Sequence, residues 1–224
     1  MSDYNKLVIF DCDGTLVDGQ HLIIDAMDLC FERQGLTPPE RSASRSIIGL
    51  SLEEAMAVLI PNHDARFYRH MAEEYKNAFL DLRAENGDPI EPLYEGTLET
   101  LRELDAAGYL LAVATGKSMR GLKRVLASHE ISNLFVSLQT ADTHPSKPHP
   151  SMIQTAIMEA GSHTDQTIMV GDTSYDMLMA KSASVGAVGV NWGYHDEAFL
   201  HENGANTVLS LYSDLPKTVK SMIG

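Results

Sequence analysis

Cysteine, tryptophan and long apolar runs are scarce in this sequence. The only two cysteines among its 224 residues, Cys12 and Cys30, cannot form a disulfide framework. That scarcity is typical of proteins in a reducing compartment. No run approaches the roughly 20 apolar residues that a membrane-spanning helix needs, and no early stretch has the layout of a signal peptide. We therefore expect a cytoplasmic protein that does not insert into a membrane.

Positive charge is also in short supply. The sequence has 17 basic and 31 acidic residues, which gives a formal net charge of −14 at pH 7. A chain with this excess of negative charge is repelled by nucleic acids and by anionic membrane surfaces. The composition therefore argues against both as partners.

Apolar residues are plentiful and occur in short runs. With 44% hydrophobic residues, the chain can bury a sizeable core. The runs lack alternation, which indicates strands that are buried on both faces, and helical patterns lie between them. They are at residues 6–10, 110–114, 134–138, 167–170 and 187–190. Strands that alternate with helices predict an α/β fold with a doubly wound, Rossmann-like parallel sheet.

One long stretch interrupts this alternation. Residues 17–89 contain no comparable strand run and have apolar residues at helical spacing. We predict that residues 17–89 form a helical domain, inserted into a core domain made of residues 1–16 and 90–224. The turn-rich exit of this insert, residues 84–96, is a candidate hinge.

Polar residues follow the predicted strands where these end. Ligands of open α/β sheets bind at the carboxyl ends of the strands, so residues after different strands share one crevice. The residues concerned are Asp11, Asp13, Thr115, Gly116, Lys147, Asp172 and Asp176. We expect four carboxylates, a hydroxyl and an ammonium group to converge there.

Such a group of carboxylates requires a cation. Two carboxylates about 4 Å apart repel each other by about 4 kcal/mol at an effective dielectric constant of about 20. That is a large part of the roughly 5–15 kcal/mol by which a domain is stable. Hard oxygen ligands with room left for water and substrate suit Mg²⁺. The sequence therefore predicts a magnesium site at this edge of the sheet.

Four motifs in this order resemble those of the haloacid dehalogenase-like (HAD) superfamily. They are "DCDGTLVD", the threonine of "VATGK", the lysine of "SKPHP", and "GDTSYD". The resemblance spans essentially the whole chain and is to members with a helical (C1) cap. It implies a Rossmann-like core, a helical cap inserted after the first strand, and phosphoryl transfer through an aspartyl-phosphate.

The resemblance also implies roles for the acidic residues. Asp11 would attack phosphorus, and Asp13 would protonate the leaving oxygen and later activate water. Mg²⁺ would be held by Asp11, the carbonyl group of Asp13 and Asp172. Asp176 would support these ligands or act as an alternative acidic ligand.

The remaining motif residues would bind the phosphate. Thr115 and the amide of Gly116 are expected at a helix N-terminus, where anions bind readily. Lys147 would neutralise the transferring group. In the cap, Arg41, Arg45, Gly49 and Ser51 are candidates for a specificity loop or simply for a solvated face.

Several activities remain open within this resemblance. An acid at position 13 argues against a dehalogenase or a phosphonatase, and favours a phosphatase that acts on a small phosphorylated metabolite. The C-terminal residues are most similar to phosphoglycolate phosphatases. A sugar phosphomutase of the β-phosphoglucomutase type and a pyrophosphatase are the alternatives, and the oligomeric state is not defined, although a monomer is compatible with the sequence.

Two other protein classes fit less well. "LAVATGKS" ends like a phosphate-binding P-loop, but it lacks the first glycine and its middle residues resemble a strand. A phosphoacceptor signalling domain would need its acceptor aspartate after the third strand, where position 139 is Gln. An inactive binding protein with the same fold would also fit, although every expected catalytic residue is present.

Overall fold

The computed structural model describes residues 4–224, so the first three residues of the predicted core domain lie outside the described part of the chain. The strands are β1 (Asn5–Phe10), β2 (Leu110–Thr115), β3 (Phe135–Thr140), β4 (Ser162–Gly171), β5 (Gly186–Val190) and β6 (Thr207–Leu209). They form one parallel sheet in the order β3-β2-β1-β4-β5-β6.

The helices lie between these strands in chain order. Four helices follow β1, namely α1 (Gln20–Arg33), α2 (Arg41–Ser46), α3 (Leu52–Leu59) and α4 (Ala65–Glu85). The others are α5 (Thr97–Ala106), α6 (Met119–Ser128), α7 (Ser151–Ala160), α8 (Ser174–Ala183), α9 (Glu197–Glu202) and α10 (Leu215–Ile223). Two 3₁₀ turns occupy Ser132–Leu134 and Tyr212–Asp214.

The sheet is covered by helices on both faces, as the uninterrupted apolar runs predict. In β1, Val8 and Phe10 pack into one hydrophobic cluster with residues of α5, α6 and α10. Leu7 and Ile9 pack into a second cluster with residues of α7 and α8. Because successive side chains of a strand point to opposite faces, a strand between two such layers has to be apolar throughout. The predicted α/β fold class is confirmed.

Helices α1, α3 and α4 share a hydrophobic cluster of their own. We call residues 20–85, from α1 to α4, the helical insert. Its cluster includes Met27 and Cys30 of α1, Met56 of α3 and Met71 of α4, all buried. Short bridges join Val17 to Asp13 and to Leu93 where the chain enters and leaves the insert. The division into a cap domain and a core domain stays a prediction at this point.

Two strand boundaries differ from those expected from the sequence. Strand β4 begins at Ser162, five residues before the predicted run, and its first residues are mostly polar and partly exposed. Strand β6 was not predicted, because it has only three residues, of which two are partly buried. The first five residues of β4 and the whole of β6 lack an apolar run of the kind that predicts the other strands.

The order of the strands defines where a ligand can bind. The chain leaves β1 towards β2 on one side, and β4 lies on the other side of β1. This reversal creates a crevice at the carboxyl ends of β1 and β4. Among the helices that the described residues form, none is both long and apolar enough to cross a membrane.

Candidate active site

Three buried carboxylates meet at the crevice between β1 and β4. Asp11 directly follows β1, and its amide donates a hydrogen bond of 2.9 Å to the carbonyl of Val170 in β4. Asp172 directly follows β4, and Asp176 lies in the first turn of α8. One carboxylate oxygen from each lies within 4.8 Å of the others, and all three residues are fully buried.

A single ammonium group lies among these carboxylates. Lys147, in the loop between β3 and α7, places its Nζ 2.8 Å from Oδ1 of Asp11 and 2.7 Å from Oδ1 of Asp176. The other oxygen of Asp176, Oδ2, accepts hydrogen bonds from the amide and the hydroxyl of Thr173. Asp176 therefore holds Lys147 against Asp11 through a carboxylate that is itself fixed at the start of α8.

Asp172 is held by two further segments of the chain. Its Oδ1 accepts a hydrogen bond of 2.8 Å from the hydroxyl of Thr15, and its Oδ2 accepts one of 2.9 Å from the amide of Tyr194. Gly14 has φ +83°, and a Cβ at Gly14 or at Gly193 would collide with the Asp172 side chain. Only glycine at these two positions lets the backbone approach this carboxylate so closely.

Burial shifts the pKa values of the carboxylates in this cluster upwards. Burial raises the pKa of Asp11 to about 7, even though Lys147 lowers it. Burial, together with Asp11 and Asp176, also raises the pKa of Asp172 well above its ordinary value. Burial alone would lower the pKa of Lys147, but the two carboxylates that it contacts raise it overall.

A divalent cation fits this site. Oδ2 of Asp11 is buried and has no hydrogen-bond partner among residues 4–224. A buried polar oxygen without a partner is costly, and a cation would compensate it. All the side-chain donors are carboxylate oxygens, which suits a hard ion such as Mg²⁺.

Asp13 does not join the three carboxylates, contrary to the expectation that all four converge. Its Oδ1 lies 2.9 Å from Nζ of Lys117, and Lys117 also contacts Oε2 of Glu91 at 3.1 Å. Burial raises the pKa of Asp13, Lys117 lowers it and Glu91 raises it. The reason for the difference is that Lys117 and Glu91 offer the Asp13 side chain an ion-pair network of its own.

Thr115 and Gly116 lie at the end of β2, but they do not start the next helix. Helix α6 begins at Met119, and the hydroxyl of Ser118 accepts the capping hydrogen bond from Gly121. The Thr115 hydroxyl is buried and accepts a hydrogen bond of 3.2 Å from the amide of Lys117. The expected position at a helix N-terminus is therefore wrong by one turn, because Ser118 provides the cap.

The helical insert contacts the core next to this site. Arg45 donates a hydrogen bond of 2.7 Å to the carbonyl of Gly193, and the Ser51 amide donates one of 2.8 Å to the hydroxyl of Ser146. A Cβ at Gly116 would lie 2.6 Å from the carbonyl oxygen of Gly49. Of the predicted specificity residues, Arg41 instead pairs with carboxylates of α1 on the exposed surface.

A cavity of about 230 Å³ lies between the insert and the core. Asp13 and Gly116 line it from the core, and residues of α1, α3 and α4 line it from the insert. The cavity therefore adjoins the candidate acid, and the insert forms its opposite wall.

Sequence reasoning missed two residues of this site. Lys117 was considered only as the lysine of a failed P-loop motif, and Glu91 was included only within the candidate hinge. Glu91 is buried and also contacts Arg83 at 3.1 Å. The only indication of Glu91 in the sequence is a glutamate in a turn-rich segment. A glutamate in such a segment is far more often exposed to solvent than buried.

The fold and the site define an α/β protein with a buried carboxylate cluster at the switch point of a parallel sheet. The haloacid dehalogenase-like hydrolase family matches residues 8–190. The chain belongs to this family of hydrolases.

Individual relatives agree with this assignment. The chain is 34% identical over 213 residues to the probable phosphatase IndB of Dickeya dadantii, with 93% of this chain and 91% of the relative covered. It is 26% identical to a phosphoglycolate phosphatase of Vibrio parahaemolyticus, with 96% of each covered. These comparisons confirm the predicted family and the predicted enzyme class, a phosphatase.

A solved structure shares the fold. The crystal structure of a predicted phosphatase from Clostridium acetobutylicum superposes with a TM-score of 0.86 at 24% identity, with 98% of this chain and 100% of that chain covered. This similarity supports the architecture of sheet and helical insert.

Proposed function

We propose that the protein is a Mg²⁺-dependent phosphatase that hydrolyses a small phosphate monoester through an aspartyl-phosphate on Asp11. The observation that carries the proposal is the environment of Asp11. One of its oxygens contacts Lys147, and the other is buried without a hydrogen-bond partner among the described residues. A carboxylate held in this way has one oxygen fixed and one available for bonding.

The first step forms the covalent intermediate. A carboxylate oxygen of Asp11 attacks phosphorus, and the bond between phosphorus and the leaving oxygen breaks. Lys147 lies where it can neutralise charge on the transferring group, because its ammonium already contacts Asp11. Thr115 and the amide of Gly116, at the end of β2, are the proposed donors to the phosphate oxygens.

Asp13 acts as the general acid of the first step and as the general base of the second. It donates its proton to the leaving oxygen in the first step and accepts one from the attacking water in the second, which breaks the bond between phosphorus and Asp11. Burial raises the pKa of Asp13, which favours the protonated form that the first step needs. Inorganic phosphate and the free alcohol are the products.

The carboxylate cluster supplies the metal site of this proposal. Asp11, Asp172 and the carbonyl of Asp13 would hold Mg²⁺, and Asp176 supports the cluster by holding Lys147. When bound, the ion offsets the repulsion between an anionic substrate and an anionic nucleophile. The support for this assignment is the excess of carboxylates over ammonium groups and the unpartnered oxygen of Asp11.

In this proposal the helical insert acts as a cap over the site. We assign residues 17–89 to a cap domain and residues 1–16 and 90–224 to the core. The separate hydrophobic cluster of α1, α3 and α4 supports this division. Closure of such a cap would exclude water while the leaving group departs.

Release of inorganic phosphate tests the proposed function. Wild-type protein is incubated with Mg²⁺ and a panel of phosphorylated metabolites, with chelator in parallel. We expect phosphate release that chelator and Asp11→Asn both abolish, and that Asp105→Asn, a change in an exposed carboxylate of α5, leaves intact. Turnover that is unchanged in Asp11→Asn would overturn the assignment of the nucleophile.

The same panel separates the alternatives named above. A sugar phosphomutase would convert one sugar phosphate into its isomer without releasing phosphate. A pyrophosphatase would release two phosphates from each pyrophosphate and would leave monoesters intact. Either result would replace the monoesterase proposal.

A further inference from the structure

The cavity beside Asp13 is mainly apolar on the side of the insert. Its lining there includes Ile23 and Met27 of α1, Leu52 of α3, Tyr75 and Phe79 of α4, and Ile48. Tyr75 and Phe79 lie with their ring centres 6.1 Å apart and offer aromatic surface to the cavity. A group that enters here meets mainly carbon on the side of the insert, whereas Asp13 and Lys117 line the side of the core.

The size of the cavity suits a ring. Its volume is about 230 Å³. A cavity of about 150 Å³ lined by aliphatic and aromatic side chains is large enough to bind benzene. The cavity is therefore of a suitable size for a six-membered ring with a short linker to the ester oxygen.

Most of the cations that line this cavity already contact a carboxylate. Lys117 contacts both Asp13 and Glu91, and Arg124 lies 3.7 Å from Glu91. Lys76 pairs with Glu73 at 2.7 Å and is half exposed. Within residues 4–224, Arg120 is the one lining cation that makes no ion pair, and it is exposed.

Because these contacts engage most of the lining cations, the part of the cavity that is left to contact a leaving group is its apolar wall.

We infer that the substrate is a phosphate monoester whose leaving group presents an apolar, ring-sized face. The ring lies against Tyr75 and Phe79, and the ester oxygen faces Asp13. The inference rests on the proposed function and adds the chemical class of its substrate. It separates this chain from an enzyme dedicated to phosphoglycolate, whose leaving group is small and has no ring.

Three monoesters of aliphatic alcohols test this class. Benzyl phosphate carries the ring, ethyl phosphate lacks it, and phosphoglycolate replaces it with a carboxylate. In a hydrophobic pocket even one methylene group changes kcat/KM by about 10-fold to 200-fold. With Mg²⁺ present, we therefore expect kcat/KM for benzyl phosphate to exceed that for each of the others by at least about 10-fold.

A pair of variants localises the preference. Phe79→Ala removes an aromatic wall of the cavity, whereas Phe67→Ala removes an aromatic side chain from the same helix and the same hydrophobic cluster but away from the cavity. We expect Phe79→Ala to lower kcat/KM for benzyl phosphate by about 10-fold and to leave that for ethyl phosphate within about twofold. Phe67→Ala should leave the ratio of the two unchanged, and this comparison of ratios holds even if both variants are less stable.

The outcomes separate the inference from the function on which it rests. If none of the three esters releases phosphate, and the wider metabolite panel does not either, the proposed phosphatase function fails. If phosphoglycolate is the best of the three, or if Phe79→Ala lowers turnover of benzyl and ethyl phosphate equally, only the assignment of the substrate class fails. A preference for phosphoglycolate that disappears in Arg120→Ala would show that the exposed arginine decides specificity instead.

Discussion

Nζ of Lys117 lies 2.9 Å from Oδ1 of Asp13, in an ion pair that is about nine-tenths buried. Lys117 also contacts Glu91, which in turn contacts Arg83 near the end of α4. This chain of charges connects the proposed acid of the reaction with the segment where the chain leaves the helical insert. Arg83 and Arg124 also contact Glu91, whereas Lys117 is the cation that lies against Asp13, so Asp13 depends on it.

Loss of Lys117 should therefore be costly. Removal of one partner from a buried ion pair leaves uncompensated charge and costs about 3–5 kcal/mol. We expect Lys117→Met to lower the free energy of unfolding by about 3 kcal/mol, measured by urea denaturation, because Asp13 can take up a proton in response. Lys123→Met, on the exposed face of the same helix, should change it by less than about 0.5 kcal/mol. Equal losses in the two variants would contradict the network.

Addition of Mg²⁺ should stabilise the protein through the carboxylate cluster. A ligand that binds only the folded state at 100 times its Kd adds about 2.7 kcal/mol. For a chain of this size that corresponds to a rise in Tm of about 5–10 °C. We expect thermal unfolding to show such a rise in the wild-type protein and in Asp105→Asn, and little or none in Asp172→Asn. A full rise in Asp172→Asn would place the metal elsewhere.

The stability of the metal-free protein should fall between about pH 4 and pH 7. The pKa of Asp11 is raised from 3.8 to about 7 by burial. The folded state therefore holds a proton that the unfolded state has released in this range, and stability decreases as the pH rises. Asp11→Asn removes the contribution of Asp11 to this dependence, so with chelator its Tm should exceed that of the wild type at pH 8, and the difference should shrink towards pH 5. The raised pKa would be contradicted if the stability of the wild-type protein rose over this pH range by the same amount as the stability of Asp11→Asn.

Arg45 should help to hold the insert closed over the site. It donates a hydrogen bond of 2.7 Å to the carbonyl of Gly193 and lies 5.8 Å from the centre of the Tyr194 ring. Loss of about 1 kcal/mol of closure energy should raise KM about fivefold in Arg45→Ala. Arg66→Ala, an exposed position of α4, serves as the control. Unchanged KM in Arg45→Ala, together with unchanged dimensions in solution scattering, would show that this contact does not contribute to closure.

Much of the site could be predicted because parallel strands arrange their ends in a regular way. Asp11 directly follows β1, Asp172 directly follows β4, and Thr115 is the last residue of β2. These three strands are neighbours in the sheet. Lys147 was placed correctly after β3, although its loop has no regular structure. For these residues an apolar run and the polar residue after it were sufficient evidence.

The direction of the Asp13 side chain could not be predicted in this way. Its position two residues after Asp11 predicts the same side of the chain, but its carboxylate turns to Lys117 and Glu91. These three residues are distant in sequence, and no local pattern relates them. The same holds for the cavity, whose lining comes from α1, α3, α4 and α6.

The sequence by itself determined the sheet, the helical insert and the set of reactive groups at the strand ends, because hydrophobic periodicity and strand direction are local properties of the chain. The tertiary structure alone decided which carboxylate pairs with which ammonium group and what surrounds the leaving group. Those features depend on distances between segments far apart in the chain, and such distances exist only once the insert has packed against the core.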